Sequence, residues 1–290
     1  MTAPSSPQPV PEGSVPSQPA PEGPVPPQPR ERAEAPELST APVLSPAPRR
    51  SLPPLSPLLS PHGPASLRSP VVLGGITVAL LGLVVAADLF AVWADYKTYD
   101  VAGAVRGALT DGFAGSAGSF ESLARRADEA DLLSMRAGQA QAITLLAAGV
   151  AFLIWFRRVR INAEVFLPFG HAWSRSWMFW GWIVPFVNLW RPRQVMADIW
   201  DASRPAGTRS RLGLVNAWWA FWIAGLLAGR IFAVLYRKAE TPREVRDAAF
   251  QGMIADGLDI VAAVFAVVVV LKLTRMQTRK AQEGPVASDD

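Results

Sequence analysis

Four long apolar segments constrain the fold of this chain more than any other feature. They cover residues 71–94, 138–156, 212–236 and 253–271. The charged side chains within them are Asp88, Arg230, Asp256 and Asp259. About 20 apolar residues, at 1.5 Å rise per residue, cross a hydrocarbon core of about 30 Å, and a helix satisfies its own backbone groups in lipid. The pattern therefore predicts an all-α, four-span transmembrane helical bundle.

The first 70 residues have a different composition. They hold 21 of the 27 prolines, and the sequence at 11–20 is nearly repeated at 21–30. Because proline fixes φ and removes a backbone donor, such a stretch favours extended chain over packed structure. We predict a disordered, proline-rich tail over 1–70, either a solvated tether or a docking tail for a proline-recognising partner. No cleaved signal peptide is expected, since the first apolar segment begins only at Val71.

The distribution of Lys and Arg predicts the orientation in the membrane. Residues 157–211 hold nine arginines and three acids, whereas residues 95–137 hold five bases and seven acids. Cytoplasmic loops carry the excess of basic residues. We therefore expect a multi-pass protein of the plasma (inner) membrane. Its N-terminus, the loop 157–211 and the C-terminal tail 276–290 are expected in the cytoplasm.

The outer loop 95–137 also carries a pattern. Apolar residues repeat at helical spacing between 101 and 109 and again between 120 and 127, with GFAGSAG at 112–118 between the two runs. This spacing predicts two short amphipathic helices that cover the outer ends of the spans. They would pack against the bundle or act as a gating cap.

Nine of the eleven tryptophans lie between Trp173 and Trp222. Inside this region, residues 176–190 form an uncharged run that contains Gly181 and Pro185 and is short for a span. Three interpretations stay open: a re-entrant segment, an interfacial aromatic belt, or a fifth span. Pro192 then suits the first turn of an amphipathic surface helix. The arginines around this helix make acidic lipid head groups at the cytoplasmic face candidate partners, although ordinary positive-inside anchoring also explains them.

Three motifs in this region resemble one bacterial family. They are RxNAE at 160–164, GWIVPFVNLWRP at 181–192 and DIWDAS at 198–203. Together they resemble the domain of unknown function DUF4328, which is widespread in actinobacteria. The resemblance implies these signature positions: Asn162, Gly181, Trp182, Pro185, Asn188, Pro192, Asp198 and Trp200. It implies no activity, because the family has no assigned function.

The charged residues inside the spans lie at similar depth. Counted along the predicted helices, Asp88, Arg230, Asp256 and Asp259 all fall in the outer half of the bundle, and Gln139 and Gln141 enter the second span nearby. Ionisable residues inside a membrane usually face protein or water. We therefore expect a polar cluster. It is either a cation, proton or substrate site, or an ion pair of Arg230 with an Asp that locks two helices together.

Other chemistry finds little support in the sequence. There is no cysteine, and no phosphate-binding glycine loop, HExxH or GxSxG pattern occurs. His171 is a lone loop histidine. We expect no enzyme, no metal or cofactor, and no nucleic-acid partner. A protein partner or a second copy of the chain is a candidate, and Gly225-x-x-x-Gly229 could bring helices into close contact.

Two functions follow from these features. The first is a membrane-embedded interaction or regulatory module that docks partners on its aromatic and arginine-rich loop. The second is a small transporter or channel subunit that uses the intramembrane polar cluster.

Overall fold

The computed structural model describes residues 58–61, 63–111, 117–205, 207–209 and 211–283, all within the second of two compact units, 53–290. Two three-residue strands, β1 (Leu58–Ser60) and β2 (Gly63–Ala65), form a small antiparallel ladder. Four long helices make up most of the chain after the ladder. They are α1 (Val71–Thr110), α2 (Ala117–Phe166), α5 (Gly213–Lys238) and α6 (Pro242–Glu283).

Between α2 and α5 lies the predicted aromatic region. It contains α3 (Trp177–Ile183), a 3-10 turn at Val187–Leu189 and α4 (Arg191–Ser203). We call the end of the bundle that carries α3 and α4 the loop end. The opposite end, where α1 leads to α2 and α5 leads to α6, is the distal end.

The four long helices are the predicted spans. Each contains a stretch long and apolar enough to cross a membrane, so the chain is an all-α, multi-pass membrane protein. Three of them are longer than a crossing requires: α1 has 40 residues, α2 has 50 and α6 has 42. At 1.5 Å per residue, 40 residues extend about 60 Å, twice the thickness of the hydrocarbon core.

Helices α1 and α6 form the centre of the bundle. The helix α1 packs against α2 on one side and α6 on the other, and α5 packs on the far side of α6. Small side chains dominate these interfaces, among them Ala87, Ala91 and Ala94 of α1 and Ala262 and Ala266 of α6. Small residues let membrane helices approach closely, which van der Waals packing in lipid requires.

The prediction of two separate short helices at the distal end is wrong. Residues 101–109 continue α1 without a break, and residues 120–127 belong to the first turns of α2. Helix propagation adds a hydrogen bond for each residue ordered, so an amphipathic run next to a span extends it. An ion pair of Arg126 with Asp100 at 2.7 Å and a Thr98–Ser134 hydroxyl contact at 3.1 Å join the two extensions.

A capping box fixes the start of α6 at the distal end. Glu244 Oε2 accepts the backbone N–H of Thr241 at 3.0 Å, and Thr241 Oγ1 accepts the N–H of Glu244 at 3.3 Å. This reciprocal capping box, with Pro242 in the first turn, satisfies donors that a helix start leaves unpaired.

Packed chain begins earlier than the predicted boundary at residue 71. Ser60 and Ala65 are buried, and the backbone of Arg68 is held by Asn162 of α2. The prediction of a disordered tail thus does not hold for the described residues between 58 and 70. Its remaining part, 1–57, lies outside the described residues, as do most of the glycine-rich stretch 112–118 and the last residues of the C-terminal tail.

Candidate functional site

Polar side chains from three helices meet in the distal half of the bundle. Gln141 Nε2 of α2 donates to Asp88 Oδ1 of α1 at 3.1 Å and to Asp256 Oδ1 of α6 at 2.8 Å. One amide group therefore joins two carboxylates from neighbouring helices. Asp88 is only 4% exposed, and its other oxygen, Oδ2, is buried without a hydrogen-bond partner among the described residues.

Asp259 lies one turn of α6 nearer the loop end, against α5. Gly225 makes this approach possible, because a Cβ at that position would collide with Asp259 Oδ1. Gly229 faces open space instead. The small-residue pattern of α5 thus brings its own neighbour α6 close, with Gly225 as the contact point.

Arg230 stays outside this cluster. It lies on the exposed side of α5, and it takes part in none of the ion pairs among the described residues. The ion pair expected between Arg230 and an Asp is therefore not formed. Counting along a sequence places a residue at a depth, but a rotation of about 100° per residue decides which face it occupies.

A further carboxyl, Asp95, extends the cluster towards the distal end. It follows Asp88 by seven residues, two helical turns, and so lies on the same face of α1. It approaches α6 at Gly252, where a Cβ would collide with Asp95 Oδ2. Asp95 stands one residue beyond the predicted span 71–94 and was missed for that reason. Its seven-residue spacing from Asp88 is the signal that could have found it.

The cluster opens into a cavity of about 530 Å³. Its floor is formed by α1 and α6, and its walls by α2 and α5, which meet at Phe152 and Trp218 near the loop end. Gly149 of α2 and Gly229 of α5 leave open space between these walls, and Leu145 at the rim is 64% exposed. We call this cavity the cleft. It faces sideways, towards the surroundings of the bundle.

Aromatic rings close the cleft at the loop end. Trp182 of α3 packs edge-on against Phe152 of α2 at 5.8 Å and against Trp222 of α5 at 5.5 Å between ring centroids. Trp218 is 5.9 Å from Phe152 and completes the wall. The cleft thus has carboxylates near one end and tryptophans at the other.

A buried ion cluster anchors the loop end of α2. Glu164 is fully buried, and both of its oxygens accept a hydrogen bond from the Arg175 Nε–H, at 3.3 and 3.0 Å. Arg160 Nη2 lies 3.5 Å from Glu164 Oε1 and donates a hydrogen bond to the Trp173 carbonyl at 2.6 Å. Ser60 Oγ also donates to Glu164, at 3.0 Å. One acid therefore ties α2 to the segment before α3 and to the N-terminal ladder.

Asn162, the first family-signature position, lies at the centre of a second network. Its Oδ1 accepts the Arg68 N–H at 3.0 Å, and its Nδ2 donates to the Arg68 carbonyl at 2.8 Å and to Gln277 Oε1 at 3.0 Å. Gln277 in turn donates to the Val159 carbonyl and to Ser203 Oγ. These bonds connect α2, α4 and α6. Sequence reasoning missed Gln277, which lies beyond the last span in a polar stretch.

Asp198 and Trp200 hold α4 in place. Asp198 Oδ2 accepts the Ala172 N–H at 3.3 Å, and burial raises the pKa of this carboxyl, although the Ala172 bond and the charge of Arg160 partly offset the effect. Trp200 is 3% exposed in the core, with Val195, Met196 and Ile199 on the same face of α4. The predicted amphipathic helix is confirmed.

The remaining signature positions shape the chain between α3 and α4. Gly181 leaves room for Arg191, whose Cγ would lie 3.3 Å from a Cβ there. The Arg191 guanidinium stacks 3.3 Å from the ring centre of Trp173. Pro185 and Asn188 form the turn after α3, Pro192 is buried in the first turn of α4, and Trp219 Nε1 holds the turn by donating to the Leu189 carbonyl.

The outer side of α3 and of the segments on either side of it is apolar and exposed. Phe169, Trp180, Ile183 and Phe186 are between 56% and 85% exposed, and Phe186 adopts a positive φ of 64°. With seven residues, α3 is about 10 Å long, so the fifth-span interpretation is excluded. The choice between a re-entrant and an interfacial segment stays a prediction.

Comparison with known proteins agrees with this architecture. No curated protein and no solved structure matches the chain. A family model described as a domain of unknown function (DUF4328) matches residues 121–275, more than half of the chain. The match covers α2 to α6, and with them every signature position that the sequence motifs implied. The chain is therefore a member of the DUF4328 family.

Proposed function

We propose that this protein is a non-catalytic, membrane-embedded binding module that takes a lipophilic organic cation into the cleft. One observation carries the proposal: a single cavity is lined both by a wall of tryptophans and by Asp88, whose buried Oδ2 has no hydrogen-bond partner among the described residues. Carboxylates attract a cationic group, and the faces of Trp182, Trp218 and Trp222 suit both an apolar body and a positive charge.

The size and spread of the polar groups favour an organic cation over a metal ion. Within the part of the chain that the structure describes, no three His, Cys, Asp or Glu side chains converge to hold a metal. Ligand cavities of a few hundred Å³ with apolar walls and a few polar groups are typical of small-molecule sites. A carboxylate desolvated in such a cavity gains most from a cation that brings its own apolar surface.

Binding fits the cleft better than passage through it. The ring contacts of Phe152 with Trp182 and Trp218 close its loop end, so no continuous path runs along the bundle there. The proposal also places the interaction surface in the bundle rather than on the aromatic loop. Trp182 and Trp200 belong to the packed core of that loop, which leaves them little freedom to dock a partner.

We further propose the plasma membrane as the location, with both termini and the loop end in the cytoplasm. The support is the excess of arginine in residues 157–211 and the bases that follow the last span. In this orientation the carboxylate cluster lies in the outer half of the membrane.

The test uses a pair of ions that share one shape. Tetraphenylphosphonium and tetraphenylborate differ in the sign of their charge, so each is titrated into the purified protein in nanodiscs while tryptophan emission is recorded. We expect saturable binding of the cation and none of the anion. Asp88→Asn plus Asp256→Asn should weaken cation binding at least tenfold, whereas Asp247→Asn, an exposed acid on the same helix α6, should not. Equal binding of both ions would overturn the charge argument.

A second variant keeps every charge and fills the cleft. Gly149→Leu adds a side chain where a Cβ meets nothing within 4 Å, so folding should be preserved. We expect it to abolish binding while the melting temperature stays at or above the wild-type value. Wild-type affinity in a folded Gly149→Leu protein would show that the cation binds elsewhere.

A further inference from the structure

A second cavity lies at the loop end and shares no lining residue with the cleft. It has a volume of about 730 Å³ and lies where α1 begins, beside the last turns of α6 and the end of α4. Its wall includes the basic residues Lys272, Arg275, Arg279 and Lys280, and one acid, Glu283. Such a concentration of one charge sign in a concave site points to an anionic ligand.

Two of the four bases are held by the protein, and two are not. Lys280 Nζ donates to the carbonyls of Ala202 and Arg204 at 2.8 and 2.9 Å, and Lys272 lies 5.5 Å from the ring centre of Trp200. Arg275 and Arg279 have no ion-pair partner among the described residues. They are four residues apart and so share one face of α6. A pair of guanidinium groups in this arrangement suits a phosphate.

The position of the cavity identifies the source of the phosphate. Leu271 ends the last predicted span and Val71 begins the first, so the cavity lies at the boundary of the hydrocarbon core. At this level Gly74 of α1 lies against Thr274 of α6, which stands between Lys272 and Arg275. A Cβ on the next residue of α1, Gly75, would meet nothing within 4 Å. A phosphate would bind at the bases, and an acyl chain would lie along the open surface at Gly75.

We propose that this cavity binds the head group of an anionic phospholipid in the leaflet at the loop end. Basic cavities between membrane helices at this level are suited to such head groups. The site is independent of the ligand proposed for the cleft, because the two cavities share no lining residue. Lipid bound here would link α1 to α6 and α4, and the Asn162–Gln277 network also joins α4 to α6 from the inside.

The test measures the melting temperature of the delipidated protein in detergent with added lipid. Phosphatidylglycerol should raise it saturably, phosphatidylcholine should not, and inorganic phosphate at the same concentration should have little effect. Arg275→Gln plus Arg279→Gln should weaken the apparent affinity for phosphatidylglycerol about 30-fold. The matched control is Arg209→Gln plus Arg211→Gln, which removes the same charge from exposed positions at the same end.

Three outcomes would overturn the proposal. If both double variants weaken phosphatidylglycerol binding equally, the lipid responds to general surface charge and not to this cavity. If inorganic phosphate stabilises as well as the lipid, the site takes a free anion. If the Arg275 and Arg279 variant, folded in phosphatidylcholine, keeps wild-type affinity for phosphatidylglycerol in native mass spectrometry, these two residues do not form the site.

Discussion

Glu164 and Asp88 are both buried acids, yet at the residue scale their surroundings are opposite. Glu164 accepts hydrogen bonds from Arg175 and Ser60 and lies beside Arg160. Asp88 accepts a hydrogen bond from the neutral Gln141, and its other oxygen has no partner among the residues that the structure describes. A carboxylate satisfied by bases and hydroxyls stabilises a structure, whereas an unsatisfied one raises the question of a ligand. We therefore assign Glu164 a role in stability and Asp88 a role in the cleft.

Replacing Glu164 tests the architectural role. Glu164→Gln leaves Arg160 buried without its counter-charge, and breaking a buried pair costs about 3 kcal/mol or more. We expect a clearly lower melting temperature by circular dichroism in detergent. Glu129→Gln, an exposed acid on the same helix α2, should melt like the wild type. Equal melting of the two variants would contradict the role assigned to Glu164.

The raised pKa of Asp198 leads to a pH-dependent prediction. Because burial raises this pKa above the usual 3.8, the folded protein keeps a proton that the unfolded chain has released. The contribution of Asp198 to wild-type stability therefore falls as pH rises from 3.8 through the raised pKa. Asp198→Asn lacks this loss and still offers an oxygen to the Ala172 N–H.

The measurement compares the melting temperatures of wild type and Asp198→Asn across that pH range. The difference, variant minus wild type, should increase as pH rises and then level off above the raised pKa. A difference that stays constant with pH would show that the Asp198 carboxyl titrates normally.

At the scale of elements, the two turns of α3 carry tryptophans with two different roles. Trp182 points between α2 and α5 and contacts Phe152, Trp219 and Trp222. Trp180, two residues before it, is 56% exposed. Trp182→Ala should lower the melting temperature strongly, since removing a packed aromatic side chain costs about 3–5 kcal/mol. Trp180→Ala on the same helix is the control and should leave melting unchanged in detergent. Similar effects of both would mean that α3 is not docked as described.

The elements also show what could be read from the sequence and what could not. Hydropathy alone predicted the four spans, and the spacing of Val195, Met196, Ile199 and Trp200 predicted the buried face of α4. Helical periodicity at 101–109 could not distinguish a separate helix from an extension of α1, because both have the same period. The depth of the site was predicted but the rotation of its residues was not, which is why Arg230 was included. Asp95 was left out because it lies one residue beyond the predicted span 71–94. The Asn162–Gln277 contact spans 115 residues and leaves no local trace.

At the scale of the whole molecule, the absence of cysteine makes the proposed orientation directly testable. Ser119→Cys places one thiol at the distal end, and Thr208→Cys places one at the loop end, both at exposed positions. In intact cells a membrane-impermeant maleimide should label Ser119→Cys only. Thr208→Cys should react after the cells are permeabilised, and the cysteine-free parent should not react at all. The reverse pattern would invert the topology.

The helix α2 packs mainly against α1 and the helix α5 mainly against α6, while α1 and α6 pack against each other along the centre of the bundle. Because the four long helices span a membrane, we expect the gap between α2 and α5 to open the cleft towards lipid. A ligand would reach it after dissolving in the bilayer, where a lipophilic compound is already concentrated. Its apparent dissociation constant, referred to the aqueous phase, would then be inversely proportional to its partition coefficient into the membrane. Two compounds with equal contacts in the cleft would differ in potency simply through their solubility in lipid.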